Sequence, residues 1–153
     1  MKCSITSCNY RLGYHYYNTE DYDRAKRMFL SACDTSPTAE TWLRAGLSYF
    51  ELSEFEDAET ALSEANRLDN CNPDIWGYLC LLNMTLRRYD EFSQCYREMV
   101  KNNLKNRKLW LRITNSMEAL NYAPPILVTE NDDLIEAHTE QISKEQFETV
   151  NGT

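Results

Sequence analysis

The chain has 153 residues, 42% of them hydrophobic and 26% charged, the profile of one folded domain or a short repeat array rather than a disordered tail. Sixteen Lys and Arg against 24 Asp and Glu leave a formal charge of -8, so the molecule as a whole repels phosphate backbones and anionic lipid, and neither nucleic acid nor a membrane is an expected partner. No apolar run reaches the roughly 18 to 20 residues that cross a bilayer, and residues 1–5 lack the apolar core of a signal peptide, so a soluble intracellular protein is expected.

Six cysteines, at positions 3, 8, 33, 71, 80 and 95, form no C-x-x-C pair and have no histidine placed to complete a ligand set. They read as reduced packing thiols, with no metal or cofactor expected. Gly and Pro number four each, too few for a strand-rich fold with many tight turns. An all-α fold follows.

Apolar and small residues at helical spacing predict a first helix near 5–18, with Asn9, Leu12, Gly13 and Tyr16 on one face. A second, near 21–34, carries Tyr22, Ala25, Phe29 and Ala32 and is closed by Pro37. The third and fourth, near 39–51 and 55–67, repeat the pattern with Trp42, Ala45, Gly46 and Tyr49, then Phe55, Ala58, Leu62 and Ala65. Asn72-Pro73-Asp74 reads as a loop feeding a fifth helix near 73–86, with Pro73 tolerated in its first turn. That helix carries Trp76, Leu79, Cys80 and Asn83, and a sixth near 89–102 carries Tyr89, Phe92, Tyr96 and Met99. A seventh near 107–121 carries Trp110, Ile113, Thr114 and Met117. Its partner is stopped by Ala123-Pro124-Pro125.

Residues 126–153 hold seven acidic residues and one Lys, with Ile126, Leu127, Val128, Leu134, Ile135, Ile142 and Phe147 as their large apolar groups. A stack of hairpins leaves its last apolar face open, and residues 131–148 are the expected capping helix, an acidic tail being the alternative. Small residues let paired helices approach closely, which assigns Gly13 to Ala25 and Gly46 to Ala58. Cys80, Phe92 and Met99 fill the corresponding places in the third hairpin, which should be wider or rotated.

The three tryptophans, Trp42, Trp76 and Trp110, are 34 residues apart, and Glu20-Asp21-Tyr22 recurs as Ser53-Glu54-Phe55 and Arg87-Arg88-Tyr89 at spacings of 33 and 34. This period, with W-x-x-L-G-x-x-Y on one helix and A-x-x-x-F/L-x-x-A on the next, resembles the tetratricopeptide repeat. The resemblance implies an all-α, right-handed helical-hairpin superhelix. Its array is 5–122, with repeats at about 6–38, 39–72 and 73–106 and a half repeat at 107–122; the Pro-Pro break, cap and tail fill 123–153.

In the tetratricopeptide family the first helices line a peptide groove. Carried across, the lining is Tyr10, Tyr14 and Tyr17, then Glu40, Leu43, Leu47 and Phe50, then Asp74, Leu81 and Met84, then Lys108 and Leu111. Tyr and Met suit an interface, though several of these could equally be core. Family members that clamp a chaperone's C-terminal carboxylate use Lys, Asn and Arg where this chain has Tyr10, Tyr14, Arg44, Asp74 and Tyr78. An Asp faces the anion there, so a cytosolic cochaperone adaptor is the second reading, resting on Lys108 and Arg112 alone. Lys101, Lys105, Arg107, Lys108 and Arg112 form a basic stretch, read as a favourable helix end or as a patch for an acidic filament such as tubulin.

The stretch from Ala61 to Leu81, and that from Met99 to Leu120, also resemble the C-terminal repeats of the cilia- and flagella-associated protein seventy family, over roughly residues 20–122. That resemblance implies a cytoplasmic protein of the ciliary or flagellar axoneme, a non-catalytic scaffold for axonemal proteins, dynein-associated ones among them, in the assembly or regulation of motility. The chain departs from that family in lacking its long N-terminal portion. No nucleophile with its base, paired carboxylates or phosphate loop is legible. His15 reads as an aromatic neighbour, His138 lies on the acidic tail, and no enzyme is expected.

Overall fold

The computed structural model describes residues 5–123. The predicted cap at 131–148 lies outside them. Within them the order is α1 (Ile5–Asn18), α2 (Tyr22–Thr35), α3 (Ala39–Glu51), α4 (Phe55–Leu68), α5 (Pro73–Thr85), α6 (Tyr89–Lys101) and α7 (Arg107–Ala119). Each of the seven helices predicted between residues 5 and 121 is present, its ends displaced by two residues at most.

Local chemistry sets the starts. Thr38 and Thr41 form a reciprocal capping box on α3, and Asn72 accepts from the Asp74 N–H ahead of Pro73, which opens α5. The Asn106 side chain accepts from the Leu109 N–H to open α7. The ends of α1, α3, α5 and α7 share one device that is invisible in composition. Glu20, Ser53, Arg87 and Asn121 take positive φ of 61°, 61°, 57° and 51°. The next amide then reaches five residues back, from Asp21 to Tyr16 and from Glu54 to Tyr49 at 2.9 Å, from Arg88 to Asn83 at 2.8 Å and from Tyr122 to Met117 at 2.9 Å. This 6→1 bond usually relies on Gly, and a side chain in that conformation costs about 1 kcal/mol or more. Its recurrence at Asn121 ends α7 two residues early and turns the chain as the first three hairpins do.

Packing follows the hairpins. α1 with α2, α3 with α4 and α5 with α6 form pairs; α3 packs on α2 and α5 on α4. Ala25, Phe29 and Ala32 in the first pair and Ala58, Leu62 and Ala65 in the second are fully buried, as are Cys80, Phe92 and Met99 in the third. Trp42, Trp76 and Trp110 are all half-buried against the main core cluster, while their indole N–H groups differ, that of Trp76 donating to the Asn70 carbonyl at 2.7 Å.

The glycines correct the expected pairing. A Cβ on Gly13 would lie 2.9 Å from the Phe29 ring, and one on Gly46 would lie 2.9 Å from Leu62 Cγ. Each glycine therefore admits the large residue one turn beyond the alanine assigned to it. In the third unit the close approach moves to Gly77, where a Cβ would lie 2.7 Å from Leu109 Cδ2. That contact seats α7 on α5, while α7 meets α6 through long rings, with Tyr96 and Trp110 centroids 6.0 Å apart and Tyr89 stacked on Tyr122 at 5.0 Å.

Three polar ties recur at equivalent repeat positions, the first two joining successive second helices and the third joining α6 to the residue that follows α7. Lys26 Nζ donates to Glu54 at 2.7 Å, Arg88 Nη1 donates to Glu59 at 2.8 Å, and the hydroxyls of Ser93 and Tyr122 lie 3.1 Å apart. The sign of the charge reverses between the first two, which favours the native register over a slipped one.

Candidate interaction face

Because α3 lies against α5 and α5 against α7, the first helices present one continuous face. At its N-terminal half, the Tyr10 hydroxyl donates to Glu40 Oε1 at 2.7 Å and Arg44 Nε donates to the same oxygen at 2.8 Å. The Arg44 guanidinium lies 5.2 Å from the centroid of the exposed Tyr14 ring. Tyr10, Arg11 and Tyr14 line an open depression beside it.

Further along, Arg112 of α7 reaches over α5 and donates to Glu51 of α3 at 2.9 Å, with its guanidinium 5.6 Å from the Phe50 centroid. Tyr17 and Tyr78 sit beneath this bridge. Burial is the main cause that pushes both phenols above their ordinary value, with Glu51 adding to it and Arg112 opposing it. Both stay neutral at physiological pH, available as hydroxyl donors. Two arginines on this face thus share one arrangement, a carboxylate on one side and an aromatic ring on the other.

The structure separates the expected lining into two sets. Tyr10, Tyr14, Tyr17, Glu40 and Phe50 come together around Arg44 and Arg112. Leu43, Leu47, Leu81 and Met84 do not line it; each is at most 4% exposed and belongs to the core, because those steps of the helix point between neighbouring helices. Asp74 is half-buried and accepts from Asn106 Nδ2 at 3.3 Å, holding the start of α5 to the start of α7. Lys108 and Leu111 are exposed on α7.

The expected basic stretch is also partly neutralised: Arg112 is committed to Glu51, and Lys101 lies 3.4 Å from Glu98. Lys105, Arg107 and Lys108 are exposed around the start of α7. Sequence reasoning passed over Arg11 and Glu51. For Arg11 a signal was present, since Arg11, Arg44, Tyr78 and Arg112 occupy one repeat position at spacings of 33, 34 and 34 on the first helices. The cysteines at 33, 80 and 95 are buried free thiols, with burial pushing Cys95 up to about 11, and those at 8 and 71 are exposed. No helix of the described residues is long and apolar enough to cross a membrane.

Hairpins stacked at this period, with small residues admitting large ones across the first two pairs, define a tetratricopeptide-repeat protein. Solved structures agree on the fold. The first repeat domain of Spaghetti (RPAP3), bound to the HSP90 peptide SRMEEVD, superposes with a TM-score of 0.68 at 17% identity, covering 79% of this chain and 97% of that one. MamA gives 0.68 at 16% identity over 95% of this chain and 81% of its own. The Yersinia enterocolitica secretion chaperone SycD, complexed with a YopD peptide, gives 0.65 at 15% over 74% and 89%.

Residues 4–124 match the family described as the cilia and flagella-associated protein 70 C-terminal domain, and the chain belongs to that family. Cilia- and flagella-associated protein 70 of Homo sapiens is 38% identical over 115 residues, 75% of this chain and 10% of that protein. Its Macaca fascicularis counterpart is also 38% identical over 115 residues, 75% of this chain and 11% of its own length. The chain thus spans about a tenth of the length of the curated relatives it matches.

Proposed function

We propose that the chain is a non-catalytic scaffold that holds other polypeptides on the face of its first helices, and that it does so in a ciliary or flagellar axoneme, supporting the assembly or regulation of motility. The family membership supports the setting. The observation that carries the binding reading is the pairing of Arg44 with Glu40 beneath Tyr14 and of Arg112 with Glu51 beside Phe50. This face offers broad aromatic area with its guanidinium charges already balanced, which suits a polypeptide segment docked through apolar and hydroxyl contacts. Its partners on this reading are axonemal proteins, tubulin or dynein-associated chains among them.

The second reading, a cytosolic adaptor for chaperone tails, is supported by the chaperone peptides bound to proteins of this fold. It fits these side chains less well. A carboxylate ligand would have to displace Glu51 to reach Arg112, and Lys108 is the exposed cation left one turn away.

The test is capture of axonemal extract on the immobilised chain, compared with the variant carrying Tyr14→Ala and Phe50→Ala together. The reading predicts that capture falls while the helical circular dichroism is kept, and unchanged capture removes this face from consideration. In parallel, saturable binding of a peptide ending in an acidic chaperone tail, lost on Lys108→Ala, would favour the adaptor.

A further inference from the structure

Arg44 and Arg112 sit in like surroundings but are tethered differently. Arg44 pairs with Glu40 four residues back on its own helix, so guanidinium and carboxylate stay together whatever docks above them. Arg112 belongs to α7 and reaches across α5 to a carboxylate on α3, 61 residues away. The place on α5 equivalent to both arginines is held by Tyr78, which brings no charge of its own. The cation beside Glu51 is therefore supplied by a distant helix.

The bridge is one hydrogen bond, from Arg112 Nη1 to Glu51 Oε1 at 2.9 Å, and its two ends are unequally covered, with the Arg112 side chain 43% exposed and that of Glu51 23%. Arg112 can swing into water at little cost, since a partly exposed pair of this kind contributes little. Glu51 has less access to water. It stands beside the phenols of Tyr17 and Tyr78 and next to Phe50, whose edge contact with Phe55 at 5.7 Å extends the apolar border. Arg112 is its ion-pair partner among the described residues. A polypeptide that reaches the two phenols moves Arg112 aside, and a segment that is apolar throughout, or acidic, then leaves the Glu51 carboxylate uncompensated beneath the new contact. A segment with its own guanidinium restores the pair.

We infer that the corner formed by Glu51 and Phe50 over Tyr17 and Tyr78 is a seat for one arginine of a partner polypeptide, and that Arg112 occupies it as an intramolecular stand-in until that residue replaces it. Arginine suits the seat better than lysine, because its plane lies along an aromatic ring while its N–H groups meet both oxygens of a carboxylate. Apolar residues flank the partner's arginine to meet Phe50 and Phe55. The chain's formal charge of -8 favours the approach of such a segment. This inference rests on the reading of the aromatic face as a polypeptide-binding surface and specifies what that polypeptide carries.

The probe is the acetylated and amidated peptide Ala-Leu-Leu-Arg-Leu-Leu-Ser, titrated into the full 153-residue chain and followed by calorimetry. Saturable binding is expected, weakened about fivefold when Lys replaces the peptide's arginine and about tenfold by Glu51→Gln. Glu56→Gln makes the same change of charge at an exposed position on α4 and should leave binding unaltered. Arg112→Ala removes the stand-in and should tighten binding about two- to fivefold, a gain that a merely structural arginine would not give. No saturable binding, equal affinity for the parent and Glu51→Gln, or no gain on Arg112→Ala overturns the inference. Self-association of the chain that Glu51→Gln abolishes would assign the seat to a second copy and overturn it as well. Axonemal capture that the Tyr14→Ala, Phe50→Ala variant loses but Glu51→Gln keeps would overturn this inference alone and leave the reading of the face standing. Circular dichroism confirms that each variant is folded.

Discussion

Gly77→Ala tests how α7 is seated. On an isolated helix the change would be favourable by about 1 kcal/mol, since Ala loses less backbone freedom than Gly. Here the new methyl would stand 2.7 Å from Leu109 Cδ2 and 3.1 Å from its Cγ, and Leu109 is 1% exposed. Overpacking of this kind costs about 1 to 3 kcal/mol, so after that gain a net loss of up to about 2 kcal/mol is expected. Leu109→Ala alone should cost about 2 to 5 kcal/mol by leaving a cavity. In the double variant the added methyl occupies part of that cavity, and the two changes should offset each other by about 1 to 2 kcal/mol. Guanidinium unfolding of the four proteins measures this cycle, and amide exchange of α7 reports the loosening of its seat. A Gly77→Ala chain more stable than the parent by the full helix-propensity gain of about 1 kcal/mol would refute the close approach of α5 and α7.

Phe29→Ala empties the space under Gly13 and should lower stability by about 3 to 5 kcal/mol, read from chemical unfolding. Lys26→Glu should destabilise by up to about 1 kcal/mol, with recovery on adding Glu54→Lys; a double variant as weak as the single would show that the pair does not tie α2 to α4. Burial pushes Tyr96 up to about 12 and Cys95 up to about 11, so the unfolded chain releases both protons first as the pH rises. Stability is then unaffected by these groups below their ordinary values of 10.0 and 9.0 and falls above them, Tyr96 contributing about 1.4 kcal/mol per pH unit once it titrates. Unfolding midpoints between pH 8 and 11 should decline less steeply for Tyr96→Phe than for the parent. Arg112→Ala should cost less than about 1 kcal/mol, because the pair with Glu51 is partly exposed, while altering partner capture.

The helices were legible because their apolar spacing is regular and the indoles mark one phase. Caps at Thr38, Asn72 and Asn106 follow from residue type. The helix stops did not, since Glu20, Ser53 and Arg87 hold a conformation that sequence associates with glycine, and only their common spacing betrays it. The third hairpin misled for a related reason. The family pattern puts the small residue at Cys80, whereas the close contact is made at Gly77, three residues earlier and toward α7 rather than α6.

On the candidate interaction face, side-chain type drew attention to Tyr10, Tyr14, Tyr17 and Phe50, which gather there. It could not separate them from Leu43, Leu47, Leu81 and Met84, which share their helices and turn into the core. Glu51 was beyond reach, because its partner Arg112 lies 61 residues away and meets it only once α3, α5 and α7 are side by side.

On the proposed reading, the aromatic face of this repeat array holds axonemal polypeptides. Proximity labelling in ciliated cells, comparing the parent chain with the Tyr14→Ala, Phe50→Ala variant, tests this most directly. Labelling of axonemal proteins that the double variant loses, at equal expression and folding, is the predicted result. Labelling dominated by cytosolic chaperones, or an axonemal set that the variant leaves unchanged, would contradict it.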